Sequence, residues 1–116
     1  MGDIAGLNDY QQQAARTAGN ASLECAALGL CGESGEFADI VKKHAYHGHA
    51  LDKVKAAKEL GDVLWYVALA AGRLGYSLGE IAAMNIAKLR ARYPDGFSTE
   101  ASLARVDEAP AREGGR

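Results

Sequence analysis

Apolar side chains recur every three to four residues along most of the chain, a spacing that is typical of amphipathic helices. This pattern predicts four helices, over about residues 9–18, 23–44, 51–73 and 78–92. Alanine and leucine are abundant and β-branched residues are few, which favours helix over strand. The sequence therefore predicts an all-α protomer with four helices.

The ends of this periodic region carry start and stop signals. Asn8 is placed to cap the first helix, with Gln11 at the second position of a capping box. Pro94 restricts the residue before it and ends the fourth helix. Residues 98–116 hold few large apolar side chains, so we expect a tail that is flexible or packs late. Residues 1–97 are expected to form one domain.

Composition narrows the functional classes. A net charge of −2 and a pI of about 5.9 give no basic surface for a nucleic-acid polymer. No secretory signal is visible in residues 1–20 and no apolar run is long enough for a bilayer, so we expect a cytoplasmic protein that does not bind membranes. Cys25 and Cys31 share one predicted helix and are expected to be reduced and buried.

Two pairs of acidic residues break the apolar pattern. Glu33 and Glu36 lie on the second predicted helix, and Glu59 and Asp62 lie on the third. Residues three apart are neighbours on a helix surface, so each pair projects together. A solvated face is the common explanation for such acids and stays open for Glu36.

Asp62 argues against a solvated face on the third helix. It is the sole charged residue between Leu60 and Gly72, and a helix that is apolar nearly all round is expected to be buried. A buried carboxylate without a partner costs several kcal/mol or becomes protonated. Gly29 and Gly32 accompany the acids on the second helix, and such small residues let a helix or ligand approach closely.

If these two helices pack antiparallel, four carboxylates surround one space. Two like charges about 4 Å apart repel by about 4 kcal/mol at an effective dielectric of 20. A divalent cation reverses the sign of this interaction, and oxygen donors suit Mg²⁺ or Mn²⁺ better than zinc. We therefore expect Glu33, Glu36, Glu59 and Asp62 to be metal ligands.

Polar residues on the fourth helix add a second candidate group. Asn85, Lys88 and Arg92 form one stripe, which is an ordinary polar face unless a metal cluster lies beside it. Near such a cluster, the two cations would neutralise substrate phosphates. Lys43, on the second helix, is expected to reach the same space.

The ordered motifs resemble one known family. The segments "LGLCGESGEFADIVKK" and "KELGDVLWYVALAAGRLGYSLGEIAAMNIAKLRARYPDGF" are similar to MazG-like all-α nucleoside triphosphate pyrophosphohydrolases. The family pattern is E-x-x-E, a spacer, E-x-x-D, then N-x-x-K-L and R-Y-P. It matches Glu33/Glu36, Glu59/Asp62, Asn85/Lys88/Leu89 and Arg92/Tyr93/Pro94.

This resemblance implies Mg²⁺-dependent hydrolysis of a ribo- or deoxyribonucleoside triphosphate to the monophosphate and pyrophosphate, in a homodimer or homotetramer. The four acids would hold the metal, and Glu33 or Glu36 would orient or deprotonate the attacking water. Asn85, Lys88 and Arg92, with Tyr93, would hold phosphates or sugar. The motif contains no residue that reads the base.

Two alternatives remain. A ferritin-like carboxylate protein needs Glu-x-x-His pairs, and neither acid-bearing helix has one. A non-catalytic helical metal-binding or regulatory oligomer would keep the acids without turnover. An apolar third helix in so small a chain also predicts at least a homodimer.

Overall fold

The structure is a computed structural model that describes residues 3–108. This part of the chain contains no β-strand, so the all-α prediction is confirmed. None of its helices is long and apolar enough to cross a membrane. The elements are α1 (Leu7–Ala15), α2 (Leu23–Tyr46), α3 (Lys53–Leu74), α4 (Leu78–Arg92), α5 (Thr99–Ala104) and a short 3₁₀ helix (Val106–Glu108).

The four predicted helices are present, but the start of the first one differs from the prediction. α1 begins after Gly6, which makes no side-chain cap, and Asn8 lies inside the helix. The capping-box prediction for Asn8 and Gln11 is therefore wrong. Caps do occur at α2 and α3, where the Ser22 hydroxyl and the Asp52 carboxylate accept backbone N–H bonds.

The chain divides into two compact units between Gly79 and Glu80. In the first unit, α2 packs along α3 after a short loop, and α1 packs on α3 as well. Gly29, near the start of α2, lies against Tyr66 in the second half of α3. Since α2 ends where α3 begins, this contact makes the pair antiparallel, which is the arrangement considered from the sequence.

Gln11 attaches α1 to the end of α3. Its side-chain amide donates to the carbonyls of Ala68, at 3.2 Å, and Tyr76, at 3.1 Å, while its oxygen accepts from the Leu78 amide at 2.8 Å. Asn8 accepts from the next amide, that of Gly79, at 2.8 Å. These side chains of α1 therefore accept hydrogen bonds from N–H groups at the start of α4, which have no partner within that helix. The sequence did not predict this role for Asn8 and Gln11.

The prediction that α3 is buried nearly all round is wrong for the single chain. Among the described residues, the buried apolar side chains are Ala26, Ala68, Ala71 and Leu78. Leu60 is 51% exposed and Asp62 is exposed as well. The reason is that α1 and α2 cover only part of α3.

The two cysteines also differ from the prediction in one respect. Cys25 and Cys31 are free thiols, as expected, but both are exposed. Neither side chain is covered by the described residues, so they do not act as core residues.

The second unit contains most of α4, followed by a turn and α5. Ser98 caps α5 through the Ala101 amide at 3.0 Å. This helix of six residues was not predicted, because Leu103 is its single large apolar residue and gives no amphipathic pattern. In the structure, Leu103 is 80% exposed. The predicted tail thus includes helical residues up to 108, and its last residues, 109–116, lie outside the described part. The domain boundary at residue 97 stays a prediction.

Candidate metal centre

Three of the four predicted metal ligands meet between α2 and α3. One carboxylate oxygen from each of Glu33, Glu59 and Asp62 lies within 4.8 Å of the other two. Glu33 and Glu59 are half-buried and Asp62 is exposed. The antiparallel packing explains the convergence, because it places Glu33 of α2 opposite Glu59 and Asp62 of α3.

The cluster is electrostatically strained. The pKa of Glu33 is raised, first by a hydrogen bond shared with Glu59, then by burial and by the charges of Asp62, Glu59 and Glu36. A shared proton is the usual way in which neighbouring carboxylates reduce their repulsion. In the described part of the chain, no salt bridge reaches any of these acids. The charge therefore needs a proton or a cation from outside.

One oxygen of the cluster is left without a partner. Glu59 Oε2 is buried and accepts no hydrogen bond from the described residues. An unpaired buried oxygen of this kind is costly, and a hard divalent cation satisfies it. Carboxylate oxygens are the donors that Mg²⁺ and Mn²⁺ prefer. The residues present thus fit a divalent cation.

Glu36, the fourth predicted ligand, lies outside the three-residue cluster. It lines an adjoining cavity of about 240 Å³, whose wall also includes Glu59. Lys43 lines the same cavity, and its role toward substrate stays a prediction. The remaining wall residues are Asp39, Ile40, His49, Ala50, Asp52 and Lys55.

The two lysines of this cavity differ in their partners. Lys43 donates to Asp39 at 2.9 Å, and this hydrogen bond raises the pKa of Lys43 and lowers that of Asp39. Lys55 makes no side-chain ion pair with the described residues. Lys55 is not among the residues predicted from the sequence, although its position one turn before Glu59 indicates that the two share a helix face.

A tyrosine from α1 also borders the cluster. Burial, and then the charge of Asp62, raise the pKa of the Tyr10 hydroxyl. The sequence showed no signal for this proximity, because it depends on how α1 packs on α3. Between α2 and α3, Gly29 leaves room for the Tyr66 ring, and a Cβ at this position would overlap the ring. Gly32 faces open space, so the predicted close approach holds for Gly29 alone of this pair.

The predicted substrate residues on α4 belong to the second unit. Asn85 and Lys88 are exposed there. Arg92 is half-buried and bound to two carboxylates, those of Asp107 and Glu108. Its neighbour Tyr93 lies next to Phe97, with 5.3 Å between the ring centroids.

Comparison with known proteins assigns the family. The MazG nucleotide pyrophosphohydrolase domain matches residues 21–97. The chain is also 38% identical, over 80 residues, to the Gene 37 protein of Mycobacterium phage L5; this match covers 64% of the chain and 68% of the phage protein. No solved structure matches. The match spans both acid pairs and the α4 motif, and the chain therefore belongs to the MazG nucleotide pyrophosphohydrolase family.

Proposed function

We propose that the chain hydrolyses a ribo- or deoxyribonucleoside triphosphate to the monophosphate and pyrophosphate with Mg²⁺ as cofactor, as a house-cleaning enzyme of the nucleotide pool. Mn²⁺ is the expected substitute. The observation that carries this proposal is the convergence of Glu33, Glu59 and Asp62 within 4.8 Å without a compensating cation among the described residues. Family membership indicates the reaction class.

The three clustered carboxylates would hold the cation, with Glu59 Oε2 as the donor that otherwise lacks a partner. A bound divalent cation would polarise the phosphoryl oxygens and offset their charge. Because these ligands come from two helices packed against each other, their positions are fixed before substrate binds.

The cavity beside the cluster supports a role in holding the phosphate chain. Its volume of about 240 Å³ is below the roughly 300 Å³ at which pockets for whole small molecules begin. It therefore suits the polyphosphate better than the complete nucleotide. Lys43 and Lys55 on its wall would neutralise phosphate oxygens.

Glu36 would act on the attacking water. It is outside the three-carboxylate cluster but lines the cavity, so it is available to accept a proton. The water oxygen would form a bond to the α-phosphorus as one of its protons passes to Glu36. The bridging P–O bond of the α–β anhydride breaks, and pyrophosphate leaves with the bonding electrons.

Further substrate contacts and an oligomer complete the proposal. Asn85, Lys88, Arg92 and Tyr93 would hold the phosphates or the sugar, as the family resemblance implies. A homodimer or homotetramer would cover exposed apolar side chains. These include Leu60, 51% exposed, Met84, 54% exposed, and Ile86, 45% exposed.

A nucleotide panel incubated with Mg²⁺ tests the reaction. We expect pyrophosphate as the product with at least one triphosphate and no turnover after chelation of the metal. Glu36→Gln should abolish turnover at unchanged helicity, and Glu24→Gln, an exposed acid in the first turn of α2, is the matched control. Release of orthophosphate, or metal binding without turnover of any nucleotide, would reject the proposal; the latter result indicates a non-catalytic metal-binding oligomer.

A further inference from the structure

Arg92 is held in a bidentate ion pair inside the second unit. Its Nε donates to Asp107 Oδ1 at 2.7 Å and its Nη2 donates to Asp107 Oδ2 at 2.8 Å. Nη2 also reaches Glu108 Oε1 at 3.2 Å. The Arg92 side chain is 11% exposed and that of Asp107 is 4% exposed, so water has little access to the pair.

The segment that carries Asp107 follows α5, whose large apolar side chain is exposed. Leu103 is 80% exposed, and the chain then turns at Arg105, which has a left-handed backbone with a φ of 48°. The following 3₁₀ helix presents Asp107 and Glu108 to Arg92. The ion pair therefore connects this segment to α4.

A carboxylate and a phosphate bind a guanidinium in the same way, along one edge of the group. Arginine binds either anion through two parallel N–H bonds, and here Nε and one Nη already serve Asp107. The local charge is also balanced, because Arg105 donates to Glu108 at 3.1 Å and completes a cluster of two cations and two anions. A phosphate can take this edge of Arg92 only by displacing Asp107.

We propose that residues 105–108 form an autoinhibitory latch in which Asp107 occupies the phosphate-binding edge of Arg92 until substrate displaces it. This inference rests on the proposed function, because the role of Arg92 in binding phosphate is itself part of that proposal. A latch that is open in about one molecule in ten would weaken the apparent affinity for substrate about tenfold.

Steady-state kinetics of Asp107→Asn test the latch. We expect the KM for the best triphosphate to fall by up to about tenfold, with a smaller fall for Glu108→Gln, whose single bond to Arg92 is longer. Glu100→Gln, in α5 and outside residues 105–108, makes the same change of charge and should leave the KM unchanged. A higher KM for Asp107→Asn at intact helicity would mean that Asp107 positions Arg92, and a KM equal to that of Glu100→Gln would mean that the pair plays no part. Either result overturns the latch.

Hydrogen exchange on the wild-type chain gives an answer even if Asp107→Asn fails to fold. The Glu108 amide donates to the Arg105 carbonyl at 2.9 Å, and its exchange should accelerate when inorganic tripolyphosphate is added. Unchanged or slower exchange would overturn the latch. If the wild-type chain releases no pyrophosphate from any nucleotide, the proposed function fails, while the exchange measurement still reports on the latch.

Discussion

The acid cluster of the first unit and the latch of the second unit handle charge in opposite ways. Glu33, Glu59 and Asp62 gather negative charge that no ion pair of the described chain compensates. Arg92 and Asp107 pair within 2.7 Å and are balanced by neighbouring ions. Unbalanced charge indicates a site that is completed by a ligand, whereas balanced charge indicates a contact that the protein completes itself.

The pKa values of the ionisable groups in the two regions are shifted in directions that agree with this difference in charge balance. The pKa of Glu33 is raised because its hydrogen-bond partner and nearest charges are acids. The pKa of Asp107 is lowered, and that of Arg92 raised, because each binds the opposite charge. An ionised carboxylate thus opposes folding in the first unit, at Glu33, and supports folding in the second unit, at Asp107.

The largest expected effect is the loss of catalysis when the cluster loses a ligand. Asp62→Asn should lower kcat/KM by about a thousandfold, because losing several kcal/mol of transition-state stabilisation costs a factor of ten for each 1.36 kcal/mol. Calorimetric titration with Mn²⁺ should show weaker binding in parallel. Glu24→Gln controls for the loss of one acid. Near-normal turnover by Asp62→Asn at saturating metal would remove Asp62 from the ligand set.

Neutralising one acid in each unit should change stability in opposite directions. In metal-free buffer at neutral pH, Glu33→Gln should raise the thermal midpoint by a few degrees, since it removes repulsion, and Asp107→Asn should lower it, since it breaks an ion pair. Thermal unfolding monitored by circular dichroism measures both. If both variants shift the midpoint in the same direction, the comparison between the two regions fails.

The changes in stability caused by Glu33→Gln and Asp107→Asn should also depend on pH in opposite ways. Because the folded-state pKa of Glu33 is raised, the stability that its protonated form contributes is complete below its unfolded pKa and is lost as pH rises through the folded value. The advantage of Glu33→Gln should therefore grow with pH across this window. Because the folded-state pKa of Asp107 is lowered, its contribution is present above the unfolded pKa and is lost as pH falls through the folded value. The defect of Asp107→Asn should therefore shrink in acid.

Two glycines of α2 give the smallest effects and test whether close packing holds the acids together. Gly29→Ala places a Cβ against the Tyr66 ring, so overpacking should exceed the gain in helix propensity and cost about 1–2 kcal/mol net. It should also weaken Mg²⁺ binding by moving α2 from α3. Gly32→Ala meets no atom within 4 Å and should stabilise the chain by about 0.5–1 kcal/mol. Chemical denaturation compares them, and an equal gain for both would show that α2 and α3 are not closely fitted.

Much of the fold could be predicted from local pattern. The bounds predicted for the fourth helix agree with α4, because Pro94 and the apolar spacing act over a few residues. Asn8 does not cap α1, because its side-chain oxygen accepts a hydrogen bond from the amide of Gly79, far along the chain. Competition of that kind between a local and a distant partner is not visible in a local pattern.

The acidic residues of the candidate site could be predicted from the sequence, but the side chains that contact the predicted site residues could not. Spacing alone placed Glu59 and Asp62 on one face, and an antiparallel pair of helices brought Glu33 to them. The nearness of Tyr10, however, depends on the packing of α1. The pairing of Arg92 with Asp107 needs a turn at Arg105 with positive φ, which is rare for a side chain of this type.

The attachment of α1 through Gln11 has a practical consequence for work on this family. The matched residues begin at 21, so a chain cut to that region would lack α1 entirely. It would leave the amide of Leu78 and the carbonyls of Ala68 and Tyr76 without the bonds that Gln11 makes. It would also remove Tyr10 from the side of Asp62. A chain that keeps these contacts therefore needs the whole of α1, which begins at Leu7.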